Sequence, residues 1–139
     1  MNTNVKMTFY NNDDKDYGLI VTGNMTEKNN CTYINYCDSD GVTGIIGISK
    51  GVISLTHMKD PFYTIVLEEN VPYSAVLKTD YGDISATVYP NKVKTRKTSA
   101  HLFITLDYDM HFEGVNEPLS HKLKIKVDYL DDKQNVPST

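Results

Sequence analysis

Residues 102–112 read LFITLDYDMHF and residues 119–129 read LSHKLKIKVDY. In each stretch, apolar and polar side chains alternate almost residue by residue. Side chains on a β-strand point to opposite faces of the sheet in turn, so this period of two predicts two strands, each with one dry face and one wet face. Together the two stretches predict an antiparallel hairpin.

The alternation also assigns the faces of the hairpin. On the dry face we expect Leu102, Ile104, Leu106, Tyr108, Met110 and Phe112 of the first strand and Leu119, His121, Leu123, Ile125, Val127 and Tyr129 of the second. On the wet face we expect Phe103, Thr105, Asp107, Asp109 and His111, followed by Lys122, Lys124, Lys126 and Asp128.

A register follows from pairing apolar with apolar and acid with base. Opposite charges directly across two strands contribute about 0.2–1 kcal/mol each, and a slip by one residue would expose every apolar side chain. The predicted register places Leu106 opposite Ile125, Ile104 opposite Val127, Asp107 opposite Lys124 and Asp109 opposite Lys122.

The rest of the chain reads as further short strands separated by turn residues. About ten such runs and no convincing helical stripe predict an all-β, mostly antiparallel up-and-down barrel or sandwich of about 8–10 strands.

In the run 92–97, Val93 and Thr95 are predicted to face the dry side. Pro90 predicts a bend or a strand break, because proline cannot donate to a ladder. Gly44 and Gly47 predict a bulge or a close approach of another strand.

Length and composition bound the protein class. A chain of 139 residues predicts one domain, residues 1–130, followed by a polar tail, Asp131–Thr139. A hydrophobic content of 40%, a charged content of 23% and a net charge of −4 are typical of a globular protein and make nucleic acid an unexpected partner. No long apolar run or leader pattern is found, so we expect a cytoplasmic protein without a membrane span, monomeric or homodimeric.

We assign no disulfide or metal site to the cysteines. Cys31 and Cys37 lie six residues apart in a predicted strand. A strand rises ~3.3 Å per residue, which puts them beyond disulfide reach. We expect reduced thiols, and no metal site.

Three segments resemble a known family. YGDISATVYPNKVK (Tyr81–Lys94), LFITLDYDMHFEG (Leu102–Gly114) and LKIKV (Leu123–Val127) are similar to the YwiB-like family of small bacterial proteins of unknown function. The match is clearest in the C-terminal half, while Thr22-Gly23 and the Tyr33–Tyr36 pair agree in layout. The resemblance implies a calycin-like (lipocalin-like) β-barrel and supplies no catalytic residues.

A barrel of this size encloses either packed side chains or one small ligand. The first hypothesis for function is therefore non-catalytic binding of a small apolar or amphipathic molecule, with a filled interior as the alternative. The candidate lining residues are Leu106, Tyr108, Met110, His121, Ile125, Val127 and Tyr129.

A second hypothesis is an interaction module with a side-chain-filled barrel. It would bind a protein or an anionic partner through basic residues on outer strands. These residues are Lys92, Lys94, Arg96, Lys122, Lys124 and Lys126. Charges on outer strands also protect sheet edges from aggregation.

Catalytic, metal and cofactor motifs are not recognised in the sequence. Isolated histidines are more often surface or turn residues than ligands, and neither Asp107 nor Asp109 has the contrasting environment that acid–base chemistry needs. We therefore assign no catalytic residue, metal ligand or cofactor, and consider an enzyme the less expected function.

Overall fold

The computed structural model describes residues 2–11, 18–38 and 41–130 of the chain. These residues form ten β-strands. Their bounds are β1 Asn2–Asn11, β2 Gly18–Lys28, β3 Cys31–Asp38, β4 Gly41–Ser49, β5 Val52–His57, β6 Tyr63–Leu67, β7 Tyr73–Thr79, β8 Gly82–Lys97, β9 His101–Phe112 and β10 Leu119–Tyr129. No helix long and apolar enough to cross a membrane occurs in these ranges. The predicted tail, Asp131–Thr139, lies outside them.

The strands form one antiparallel up-and-down sheet. Its order is β6-β5-β4-β3-β2-β1-β10-β9-β8-β7, so every strand lies beside its neighbours in the chain and β1 pairs with β10. The ends of the sheet meet where Phe62 and Lys78 exchange two backbone hydrogen bonds of 2.8 Å. The result is a nearly closed barrel, which confirms the predicted fold class.

The hairpin of β9 and β10 forms, but the predicted register is wrong by two residues. Leu106 faces Leu123 instead of Ile125, and Asp107 faces Lys122 instead of Lys124. A shift of two residues leaves every side chain on its original face, so the apolar pattern cannot distinguish the two registers. The two registers differ at the end of β9. His111 and Phe112 extend past the start of β10 and pair with β8 alone, so the first residue of β10 lies opposite Met110.

Two irregularities occur where the sequence predicts them. Pro90 lies at a register shift between β8 and β9, so the two predicted runs on either side of it form one bulged strand. The register of β3 against β4 shifts just after Tyr36, next to Gly44. A side chain on Gly44 would overlap the ring and hydroxyl of Tyr36, which explains why this position has none.

Aliphatic side chains fill most of the barrel. The fully buried ones come from strands on all sides of it: Val5, Met7, Ile34, Ile46, Ile53, Ile65, Leu67, Val88, Ile104, Leu106, Ile125 and Val127. Val93 is buried as predicted, but Thr95 is exposed. The reason is that β7 pairs only with residues up to Val88 of β8, so Thr95 has a strand on one side only.

An ion pair covers one end of the barrel. Glu27 of β2 lies two residues after the buried Met25, and Lys97 of β8 lies in the same phase as the buried Val93. Lys97 Nζ lies 3.1 Å from Glu27 Oε1. Tyr129 of β10 lies close enough to both for their charges to act on its hydroxyl. We call this the closed end. The opposite end, where β1 ends and β2 begins, is the open end.

Candidate functional site

The open end of the barrel holds a cavity of about 460 Å³. That volume lies within the range of small-molecule sites, about 300–1,000 Å³. The residues that line it are Phe9, Asn11, Leu19, Val21, Tyr36, Thr43, Leu55, Thr56, His57, Lys59, Tyr63, Tyr108, Met110, His121 and Leu123. The same inward phase that fills the barrel with aliphatic side chains thus presents mainly aromatic and polar side chains here.

A stacked histidine–tyrosine pair forms one wall. His57 of β5 and Tyr63 of β6 are cross-strand partners, with ring centroids 5.3 Å apart and planes 18° from parallel. His57 Nδ1 lies 2.9 Å from the carbonyl oxygen of Pro61 and 3.1 Å from that of Lys59. Carbonyl oxygens only accept, so Nδ1 carries a hydrogen and, in the neutral ring, Nε2 is left as an acceptor.

A second stacked pair lies on β9 and β10. Tyr108 and His121 are also cross-strand partners, with centroids 5.0 Å apart and planes 19° from parallel. The Nε2 atom of His121 is buried and has no hydrogen-bond partner in the described part of the chain. A buried polar atom without a partner loses its hydration without compensation, which makes this nitrogen available to a ligand.

A third tyrosine, Tyr36 of β3, approaches from another side of the barrel. Its ring lies over Gly44 and packs against Phe9, with centroids 5.1 Å apart and planes 53° from each other. The glycine allows the ring to lie flat against the neighbouring strand. Strands 3, 6 and 9 thus each contribute one tyrosine, and they are spaced almost evenly round the barrel.

Burial keeps these tyrosines in their protonated form. It raises the pKa of Tyr63, and it raises the pKa of Tyr36 with a further contribution from Tyr63. The pKa of Tyr108 is raised most, first by burial and then by the nearby Tyr63 and Tyr36. All three tyrosines line the same cavity, and as phenols they can donate hydrogen bonds at neutral pH. Burial also lowers the pKa of His121, and the negative charge of Asp109 offsets part of this by raising it.

The opening of the cavity is apolar and acidic. Leu19, Phe62, Tyr81 and Leu119 lie on four different connections or strand ends there, and each side chain is at least half exposed. Exposed carboxylates accompany them on the connecting segments and at the start of β8: Asp60, Asp80, Asp83, Glu113 and Glu117. In contrast, none of the described residues that line the cavity itself is an aspartate or glutamate.

The residues predicted to line a ligand site divide into three groups. Tyr108, Met110 and His121 lie around the open-end cavity. Leu106, Ile125 and Val127 are buried below it in the packed core, and Tyr129 lies at the closed end. The hypotheses of a hollow and a filled barrel thus describe different parts of the same molecule.

Sequence reasoning missed Phe9, Tyr36, His57 and Tyr63. Each lies at an inward-facing position of its strand. Alternation therefore predicts that the side chain points into the barrel, but not whether it lies in the packed core or at the open end. His57 stands alone in the sequence, and its pairing with Tyr63 depends on the register across the β5–β6 connection. The stack of His121 on Tyr108 likewise requires the observed register of β9 and β10. His101 and His111, by comparison, lie on outward-facing positions.

The predicted basic residues lie on the outer face of β8 and β10, on either side of β9. Lys94 and Lys126 form ion pairs: Lys94 Nζ lies 3.1 Å from Glu69 Oε2, and Lys126 Nζ lies 3.8 Å from Asp128 Oδ1. Lys92 and Lys122 lie opposite Asp107 of β9 in the strand register. The Arg96 guanidinium lies over the ring of Phe103, 4.5 Å from its centroid. A groove of about 320 Å³ beside this ring is lined by Tyr10, Thr105, Lys124 and Lys126.

Cys31 and Cys37 are both free and partly exposed on β3. No three His, Cys, Asp or Glu side chains gather in the described ranges in a way that could hold a metal ion.

Comparison with known proteins identifies the family of the chain. The crystal structure of ywiB protein from Bacillus subtilis is similar, with a TM-score of 0.73 over 94% of each chain at 16% sequence identity, a likeness that concerns the fold alone. No curated protein matches significantly. A family model described as Domain of unknown function (DUF1934) matches residues 3–125. The chain therefore belongs to the DUF1934 family, as its YwiB-like segments predicted.

Proposed function

We propose that this protein is a non-catalytic binder of a small amphipathic molecule, held in the cavity at the open end of the barrel. The observation that carries the proposal is a change in the type of inward-facing side chain from one part of the barrel to the other. Aliphatic side chains pack to closure in most of the barrel, whereas tyrosines and histidines surround an unfilled space at one end. A mostly apolar concave site with a few converging polar groups is the usual composition of a ligand pocket.

The test is mass spectrometry of the protein purified from its own host, first under native conditions and then after unfolding. We expect a reproducible additional mass of a few hundred daltons that is released on unfolding. Filling the cavity by Leu55→Trp should remove this mass. A control, Val76→Trp, adds slightly more bulk at an exposed site on β7 and should retain this mass. A bare protein by both methods would contradict the proposal.

The outer basic face supports a second candidate, binding of an anionic partner. The groove beside Phe103 carries it, because Arg96, Lys124 and Lys126 border a partly apolar surface. Reversing charge at Lys94 and Lys124 to glutamate should weaken retention on an immobilised polyanion, and added salt should reduce the difference. Equal retention of the wild type and this variant at low salt would exclude this candidate.

A further inference from the structure

We propose that the open-end cavity selects flat aromatic molecules that carry a hydrogen-bond acceptor, such as an aryl ketone or an aryl carboxylate. This inference rests on the proposed function and specifies the ligand class of the same site. It is argued from the donors that converge on the cavity, from the flat aromatic walls and from the distribution of charge around it.

The lining contains three tyrosine hydroxyls that can each donate a hydrogen bond. Tyr36, Tyr63 and Tyr108 reach the cavity from three sides of the barrel, and each phenol has one hydrogen to donate. Burial raises the pKa of each, so none is an anion at neutral pH. A carbonyl or carboxylate oxygen has two lone pairs and can accept from more than one of these hydroxyls at once.

Charge in the lining argues against a cationic ligand. The lining residues that the structure describes include no carboxylate, so an ammonium group placed there would find no counter-ion among them. Burial of an unpaired charge is costly. The exposed carboxylates on the surrounding segments, such as Asp60 and Glu117, would in turn repel polyanions on approach. A neutral or singly charged acceptor fits both constraints.

The shape of the walls favours a flat ring. The stacked pairs His57–Tyr63 and Tyr108–His121 have planes within 20° of parallel and line the same space. Aromatic rings gain about 0.5–1.5 kcal/mol from stacked or edge-to-face contact beyond the area they bury. Met110 contributes a thioether, which also packs well against ring edges.

The test compares naphthalene with three derivatives that carry one group at position 2. The derivatives are 2-acetonaphthone as neutral acceptor, 2-naphthoate as anionic acceptor and 2-naphthylmethylammonium as cationic donor. Dissociation constants are measured by calorimetry or tyrosine fluorescence. We expect both acceptors to bind at least about tenfold more tightly than the ammonium compound. Because this ranking is measured on the wild-type protein, it does not depend on any variant folding.

Variants then locate the effect. Tyr63→Phe and Tyr108→Phe remove one hydroxyl each and should weaken acetonaphthone binding roughly 2- to 12-fold, with naphthalene binding unchanged. Tyr89→Phe removes a hydroxyl from an exposed outer position and should change neither constant. Arg96→Glu tests the outer groove in the same way and should leave acetonaphthone binding unchanged.

The outcomes separate this inference from the function on which it rests. Equal or tighter binding of the ammonium compound would overturn the acceptor inference and leave a small-molecule site of another class. Loss of acetonaphthone binding in Arg96→Glu, or no binding of any of the four compounds, would also overturn it. The mass measurement on protein from its own host decides independently whether the cavity holds a ligand.

Discussion

The packed core and the open end of the barrel differ in side-chain type although the same strands build both. In the packed core, inward positions carry aliphatic residues such as Ile34, Ile53 and Val127, which are fully buried. At the open end, inward positions carry Tyr36, Tyr63 and Tyr108, which reach across a cavity. Strand alternation determines which side chains point into the barrel. The size, shape and polarity of those side chains then determine whether they fill the interior or leave a cavity.

The largest expected effect concerns the packed core. Ile34→Ala should lower the free energy of unfolding by about 2–5 kcal/mol, because a fully buried side chain leaves a cavity behind. Leu55→Ala at the open end should cost only about 1 kcal/mol, since Leu55 is partly buried beside an existing space. Urea denaturation measures both values. Equal losses would remove the distinction between the two regions.

The next effect concerns the glycine beneath Tyr36. Gly44→Ala places a methyl group where the Tyr36 ring and hydroxyl lie, so the ring must move. We expect a loss of about 1–3 kcal/mol in urea denaturation together with weaker ligand binding. Gly47→Ala is the control on the same strand, because its methyl group would overlap the rotatable Ser54 hydroxyl and otherwise make an ordinary contact with the Tyr33 ring. If Gly44→Ala binds ligand as the wild type does, Tyr36 is not part of the site.

A pH-dependent effect should follow from His121. Burial lowers its pKa in the folded barrel below the ordinary value of 6.5, so the unfolded chain takes up a proton that the folded chain resists. The stability that His121 contributes is therefore full above about pH 6.5 and declines as the pH falls below it. Urea midpoints at two pH values should fall more steeply for the wild type than for His121→Gln. A steeper fall in the variant would reverse the inferred sign.

The smallest expected effect concerns the ion pair at the closed end. Lys97 and Glu27 side chains are about half exposed, so solvent screens their attraction. Lys97→Ala should lower the free energy of unfolding by less than about 1 kcal/mol, and high salt should reduce the difference further. A loss comparable to that of Ile34→Ala would mean that the ion pair, and not aliphatic packing, holds this end together.

The sequence predicts the barrel well because alternation repeats in nearly every strand. It predicts the faces of β9 and β10 but not their register, since a two-residue shift preserves both faces. For the same reason, the open-end site could not be predicted in full from the sequence. Tyr108 and His121 could be assigned to the interior from alternation alone, but their stacking needed the correct register. Tyr36 and the neighbouring pair His57 and Tyr63 come from strands far from β9 and β10 in the chain, and only closure of the barrel brings them to one cavity with Tyr108 and His121.

The most direct test of the open-end site is a nuclear magnetic resonance titration with 2-acetonaphthone. Backbone and aromatic side-chain signals report which end of the barrel the compound contacts. We expect shifts at Tyr36, His57, Tyr63, Tyr108 and His121, with Ile34 and Val127 unaffected. Shifts confined to Arg96, Phe103 and Lys126, or distributed without preference between the two ends, would contradict a ligand site at the open end.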